Sequence, residues 1–175
     1  MNPNKYTYRV QEALQRSVQF SLEQGHQQIS ALHLLHSMLH QEESVAVSII
    51  NKIGANRDII LNDIHYEFEK IPRVTGGSFL PFLSNELNKI LVNAEGVAQR
   101  FKDEFVSIEH VLLSMSEIDS SSKKVLGKYN ITPESILGVM REVRGSQHVT
   151  DQDPESKYQS LSKYAQNITE LARLG

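Results

Sequence analysis

A chain of 175 residues with 39% hydrophobic and 22% charged residues has the balance of a globular protein and enough apolar surface for a packed core. Its formal net charge of -3 gives no cationic footprint for nucleic acid, whose phosphates are held mainly by Lys and Arg. With no cysteine, disulfides, thiolate chemistry and cysteine-based zinc sites are excluded, so the fold must rest on packing.

The first ten residues are polar and lack the apolar stretch of a signal peptide, and no run approaches about 18 apolar residues. No membrane contact and a cytoplasmic location are therefore expected. From Thr7, a cap residue, Val10, Ala13, Leu14, Phe20 and Leu22 recur at helical spacing up to Gln24. Ser30 precedes a second apolar run ending at Leu39, and Asn56 precedes a stripe of Ile60, Ile64, Phe68 and Ile71 that Pro72 stops. Two prolines and the Gly76–Gly77 pair predict a loop or short extended turn over residues 72–82.

The second half repeats the first. At a constant offset of 77, Ser30 meets Ser107, His33 meets His110, Leu35 meets Leu112 and Met38 meets Met115. Thr7 meets Ser84 at the same offset, and Val10, Ala13 and Leu14 meet Leu87, Ile90 and Leu91. After one deletion the offset is 76, pairing Ile50 with Leu126, Leu61 with Leu137 and Ile64 with Met140. Thr132 followed by Pro133 starts the last helix of the second copy. The expected fold class is therefore all-α. Two four-helix repeats, residues 6–71 and 84–143, pack about a pseudo-twofold axis, because each copy leaves an apolar stripe that the other can cover. A groove at their junction follows.

From Arg144 to Lys157 the chain turns polar around Gly145, Asp151, Asp153 and Pro154, which reads as an exposed linker. Beyond it Tyr158, Leu161, Ala165, Ile168 and Ala172 form an extra helical stripe with no counterpart in the repeats. Its unpartnered face reads as the beginning of a further domain.

Three segments carry a family resemblance: DEFVSIEHVLLSM (Asp103 to Met115), ISALHLLHSML (Ile29 to Leu39) and RVTGG (Arg73 to Gly77). Together they resemble the Clp N-terminal repeat domain, and the tail from Arg144 to Gly175 is similar to the connection that leads into the first AAA+ ATPase module of the disaggregase branch. The resemblance implies a domain over residues 1–143, a linker over 144–157 and the start of an AAA+ module over 158–175. It implies a non-catalytic role in capturing unfolded or aggregated polypeptide, within a homohexamer that works with a DnaK-type chaperone. No cofactor is expected in this chain, since ATP and magnesium belong to the modules beyond it, and the fragment alone is expected to be monomeric. Positions matching Thr7, Asp103 and Glu109 are associated in that branch with polypeptide binding. Val97 and Phe101, four apart and so on one helical face, add a candidate groove wall beside Asp103.

Each of these residues has a purely structural explanation too. Thr7 and Ser107 are good helix caps, Asp103 suits a turn, and Glu109 favours the positive end of a helix dipole. His33, His36 and His40 share a face, but without thiolates, carboxylates or an HExxH motif they point to packing rather than metal; His33 and His110 are expected to hydrogen-bond within the core. No GxSxG, phosphate loop or nucleophile–base pair appears. The alternative is the N-terminal domain of a protease-linked Clp unfoldase, which docks adaptors or degradation tags. Glu before His in both repeats marks phosphoarginine binding there; here Glu109 precedes His110, but Leu32 precedes His33.

Overall fold

The computed structural model describes residues 2–158 and 172–174. A 3-10 turn at Pro3–Lys5 leads to α1, Tyr8–Gln24, whose first turn is capped by Thr7. Gly25 ends it at φ 71°, where a Cβ would also meet the Val74 carbonyl oxygen at 2.9 Å, so glycine is required twice over. Helices α2, Ala31–Leu39, α3, Val45–Ile53, and α4, Arg57–Glu69, complete the first repeat. The second has α5, Asn85–Arg100, α6, Ile108–Glu117, α7, Ser121–Gly127, and α8, Pro133–Arg144. The fold is all-α, with the duplication expected from the offsets.

The centre is formed by α2, buried along its whole length, and α6, buried from Ile108 to Ser116. The two histidines act inside this centre. Nδ1 of His33 accepts the Ser30 N–H at 2.9 Å and Nδ1 of His110 accepts the Ser107 N–H at 2.9 Å, reciprocating the serine caps. Around the centre α1 packs on α2 and α5 on α6, while α3 meets α8 and α4 meets α7 across the pseudo-axis. Leu22 and Leu137, counted in the apolar stripes, are exposed instead.

The prediction of helices alone omitted a small β component that joins the copies. β1, Gln28–Ile29, pairs in parallel with β2, Phe82–Leu83, and Tyr6 forms a parallel bridge with Val106. Tyr6 and Leu83 are equivalent at the 77-residue offset, as are Ile29 and Val106. Each copy thus lends the segment before its first helix to the other copy.

The polar tail departs from expectation. Residues 144–157 do not stand off as an exposed linker: Arg144, Val149, Pro154 and Glu155 are buried, as is Tyr158. Backbone bonds fasten this stretch, with Glu104 N–H donating to Val149 O at 2.8 Å and Tyr8 N–H to Gln152 O at 2.9 Å. The stripe expected from Tyr158 to Ala172 lies, apart from its ends, outside the described residues. Among the described residues no helix is long and apolar enough to cross a membrane.

Candidate functional site

Three of the five residues singled out from the sequence converge at one pole of the second repeat, where α1 starts, α5 ends and α6 starts. Thr7 caps α1, with its Oγ1 3.4 Å from Val10 N, and donates its hydroxyl proton to Glu155 Oε1 at 2.7 Å. The same Glu155 oxygen accepts the Ile108 N–H at 3.1 Å. That N–H is one of the orphan donors at the start of α6, so a carboxylate from the tail completes the helix cap.

Asp103 follows Lys102, which takes φ 58° as the chain turns out of α5. The Asp103 carboxylate is enclosed: Arg144 Nη2 donates to it at 2.9 Å, His110 Nε2 at 2.7 Å and Val149 N–H at 2.9 Å. Because Nδ1 of His110 accepts from Ser107, its proton sits on Nε2 and faces the carboxylate. Burial alone would push the Asp103 carboxyl up, but these hydrogen bonds and the guanidinium charge bring it down to about 2.

Glu109 points into the same pocket at 1% exposure, with Oε1 3.8 Å from Arg144 and 3.4 Å from the Tyr158 hydroxyl that donates to it. Its Oε2, and Oε2 of Glu155, find no hydrogen-bond partner among the described residues. Burial, then the Glu109 charge, pushes the Glu155 carboxyl up to about 8, against the pull of the Thr7 and Ile108 hydrogen bonds. Tyr158 is likewise raised, first by burial and then by Glu109.

Val97 and Phe101 do not form a wall with these groups. Val97 is wholly buried in the core, because that face of α5 packs on α6. Phe101 is half-buried, lies 5.7 Å beneath the Arg144 guanidinium, and borders a cavity of about 280 Å³ with Leu137, Met140 and His148. Thr7, Asp103 and Glu109 are closed off from solvent by the tail, whereas the cavity beside Phe101 is open. Arg144, Glu155 and Tyr158 were missed as members of this cluster. A carboxylate and a tyrosine on either side of Lys157 in a polar stretch carried no periodic signal that could have marked them as buried.

The equivalent pole of the first repeat is built differently. His26 stands where the second repeat has Asp103, Leu32 where it has Glu109, and Phe68 where it has Arg144. His33 Nε2 lies 2.9 Å from His26 Nδ1 and donates to it, while the Phe68 ring packs 4.7 Å from that of His33. Burial and then His26 bring His33 down to about 4, so this pole is neutral and aromatic. The Ala31 N–H at the start of α2 is met at 3.3 Å by Glu86 from α5 of the second repeat, which also accepts from Ser121 at the start of α7. No group of three or more His, Asp or Glu side chains among the described residues is arranged to hold a metal.

The sequence profile of the Clp repeat (R) N-terminal domain matches residues 5–129. The chain is similar to the chaperone protein ClpB of Clostridium perfringens, 35% identical over 178 residues, covering 99% of this chain and 21% of that protein. ClpB of Porphyromonas gingivalis is 37% identical over 175 residues, covering 100% of this chain and 20% of that protein. The chain thus spans about a fifth of the length of these relatives. Among solved structures, the Hsp104 N-terminal domain from Candida albicans superposes with a TM-score of 0.76 at 18% identity, over 86% of this chain and 99% of that one. The N-terminal domain of the ClpV1 ATPase from an E. coli type VI secretion system superposes at 0.68, 18% identical over 82% and 88% of the two chains. The strand exchange between duplicated halves, the profile match across both of them and the likeness to the N-terminal regions of ClpB chaperones lead to one assignment: the chain belongs to the Clp N-terminal repeat family.

Proposed function

We propose that the chain serves as the polypeptide-binding N-terminal domain of a ClpB-type, ATP-driven disaggregase. The observation that carries this reading is the similarity to ClpB over 99% of the chain, which includes the tail beyond the repeats. The cavity bordered by Phe101, Leu137 and Met140 suits the task. It offers apolar surface to many unfolded segments, while Arg141 and Gln147 at its edge can bond backbone groups. Binding by so shallow a surface is weak, about micromolar or weaker, since it must offset the ordering of a flexible chain. That weakness serves a motor that must take its substrate onward.

In this reading the ATP and magnesium sites, the hexamer contacts and docking of a DnaK-type partner lie in further modules, and this domain hydrolyses nothing. A role in reading phosphoarginine for a protease-linked unfoldase has less support, because the first repeat has buried Leu32 where that chemistry needs a carboxylate. NMR titration with an unfolded polypeptide tests the proposal. Shifts should cluster around Phe101, Leu137 and Met140, and Leu137→Ala, at an exposed position, should weaken binding severalfold without lowering stability. Shifts confined to the first-repeat pole, or undiminished binding by the variant, would overturn it.

A further inference from the structure

We infer that residues 145–158 act as an intramolecular ligand of the second-repeat pole, closing the socket of Thr7, Asp103 and Glu109 to any other polypeptide until they are released. The inference rests on the proposed polypeptide-binding role and adds its regulation.

Four observations carry it. First, the tail docks as a bound peptide would: backbone bonds on both flanks, Glu104 N–H to Val149 O and Tyr8 N–H to Gln152 O, then a helical turn over residues 154–158 that carries a buried side-chain anchor, Glu155. Second, the socket offers two donors to one carboxyl oxygen of Glu155, the Thr7 hydroxyl at 2.7 Å and the α6 N-terminal N–H of Ile108 at 3.1 Å. Third, the related pole of the first repeat needs no such guest. There Glu86, reaching across from α5 of the second repeat, already meets the Ala31 N–H, and Leu32 and His26 replace the acidic pair. The charged socket is peculiar to the pole where the chain leaves the domain. Fourth, the docked state holds opposing forces. Glu155 enters beside Glu109, and each carboxylate keeps one buried oxygen without a hydrogen-bond partner among the described residues. Arg144, already paired with Asp103, comes within 3.8 Å of Glu109. A contact built this way holds the tail without locking it, as a releasable closure requires.

The test uses the whole chain and leaves the socket intact. Glu155→Ala with Val149→Asp removes the anchor and places a charge at a position that is 0% exposed. Amide exchange at Ile108, Tyr8 and Glu104 should then quicken, while exchange in α2 stays slow and shows that the fold survives. The synthetic peptide VTDQDPESKY, residues 149–158, should bind this variant and not the wild type, and the same peptide with Glu155→Ala should bind neither. An unfolded, carboxymethylated polypeptide should bind the variant at least about tenfold more tightly than the wild type, since the opened socket adds its contacts to those of the cavity beside Phe101. Unchanged amide exchange, equal peptide binding by both chains, or equal affinity for the unfolded polypeptide would each overturn the inference. If the peptide arm succeeds and neither chain binds the unfolded polypeptide, it is the proposed polypeptide role that falls, and the closure loses the function assigned to it.

Discussion

Asp103 shows how far a single residue's role depends on partners distant in sequence. Next to Lys102 in a turn it looks like a surface residue, yet Arg144, 41 positions on, and Val149 enclose it. Breaking one member of a buried ion pair leaves a charge without compensation, so Asp103→Asn should cost about 3–5 kcal/mol in denaturant unfolding, with Arg144 the stranded partner. The wild-type carboxylate, held at about 2 against a usual 3.8, contributes stability that is present above pH 4 and lost as the pH falls toward 2. Glu155 has the opposite sign. Raised from 4.5 to about 8, it favours the docked tail when protonated, so docking is strongest below pH 4.5 and weakens as the pH rises through 8. Glu155→Gln keeps the oxygen that meets Thr7 and Ile108 but removes the charge facing Glu109, so the protection of the Ile108 amide, its exchange relative to the intrinsic rate at each pH, should lose its dependence on pH between 5 and 9. A dependence that persisted would point to another group in the pocket. The sequence brought Thr7, Asp103 and Glu109 to notice; it could not show them as buried, because the residue that covers Thr7 lies 148 positions away.

Among the elements, the helices were legible because each carries two independent signals, a cap residue and an apolar stripe at helical spacing. The strands carry neither. At two residues each they are too short for alternation to register, and they exist only because the other copy supplies the pairing edge. The tail was misread for a different reason: its stability comes from backbone bonds and a buried carboxylate, which leave a polar sequence that looks like linker. The repeat offset also identifies the equivalent core positions, and Leu35 and Leu112 are both completely buried in the two central helices. Either substitution to Ala should cost about 2–5 kcal/mol, the range for removing a buried leucine side chain. Melts that place both below about 0.5 kcal/mol, the range of surface changes, would mean that the central helices are misassigned.

For the whole molecule, the exchange of segments between repeats decides how it unfolds. Tyr6, from the first copy, bridges Val106 of the second, and Leu83, from the start of the second, pairs with Ile29 of the first. The cross-axis contacts of α3 with α8 and of α4 with α7 lie between copies as well, so separating the repeats would strip apolar faces from both. Neither half should therefore be stable on its own despite the duplication, and the domain should unfold in one cooperative transition. Tyrosine fluorescence, helical circular dichroism and amide exchange at Ile29 and Val106 should give coincident midpoints in urea. Leu35→Ala, though placed in the first repeat, should then quicken exchange in α6 as much as in α2, because both open through the same global event. Two resolved transitions, or acceleration confined to α2, would mean that the copies fold separately and that the exchanged segments are a surface detail rather than the joint that makes the two repeats one domain.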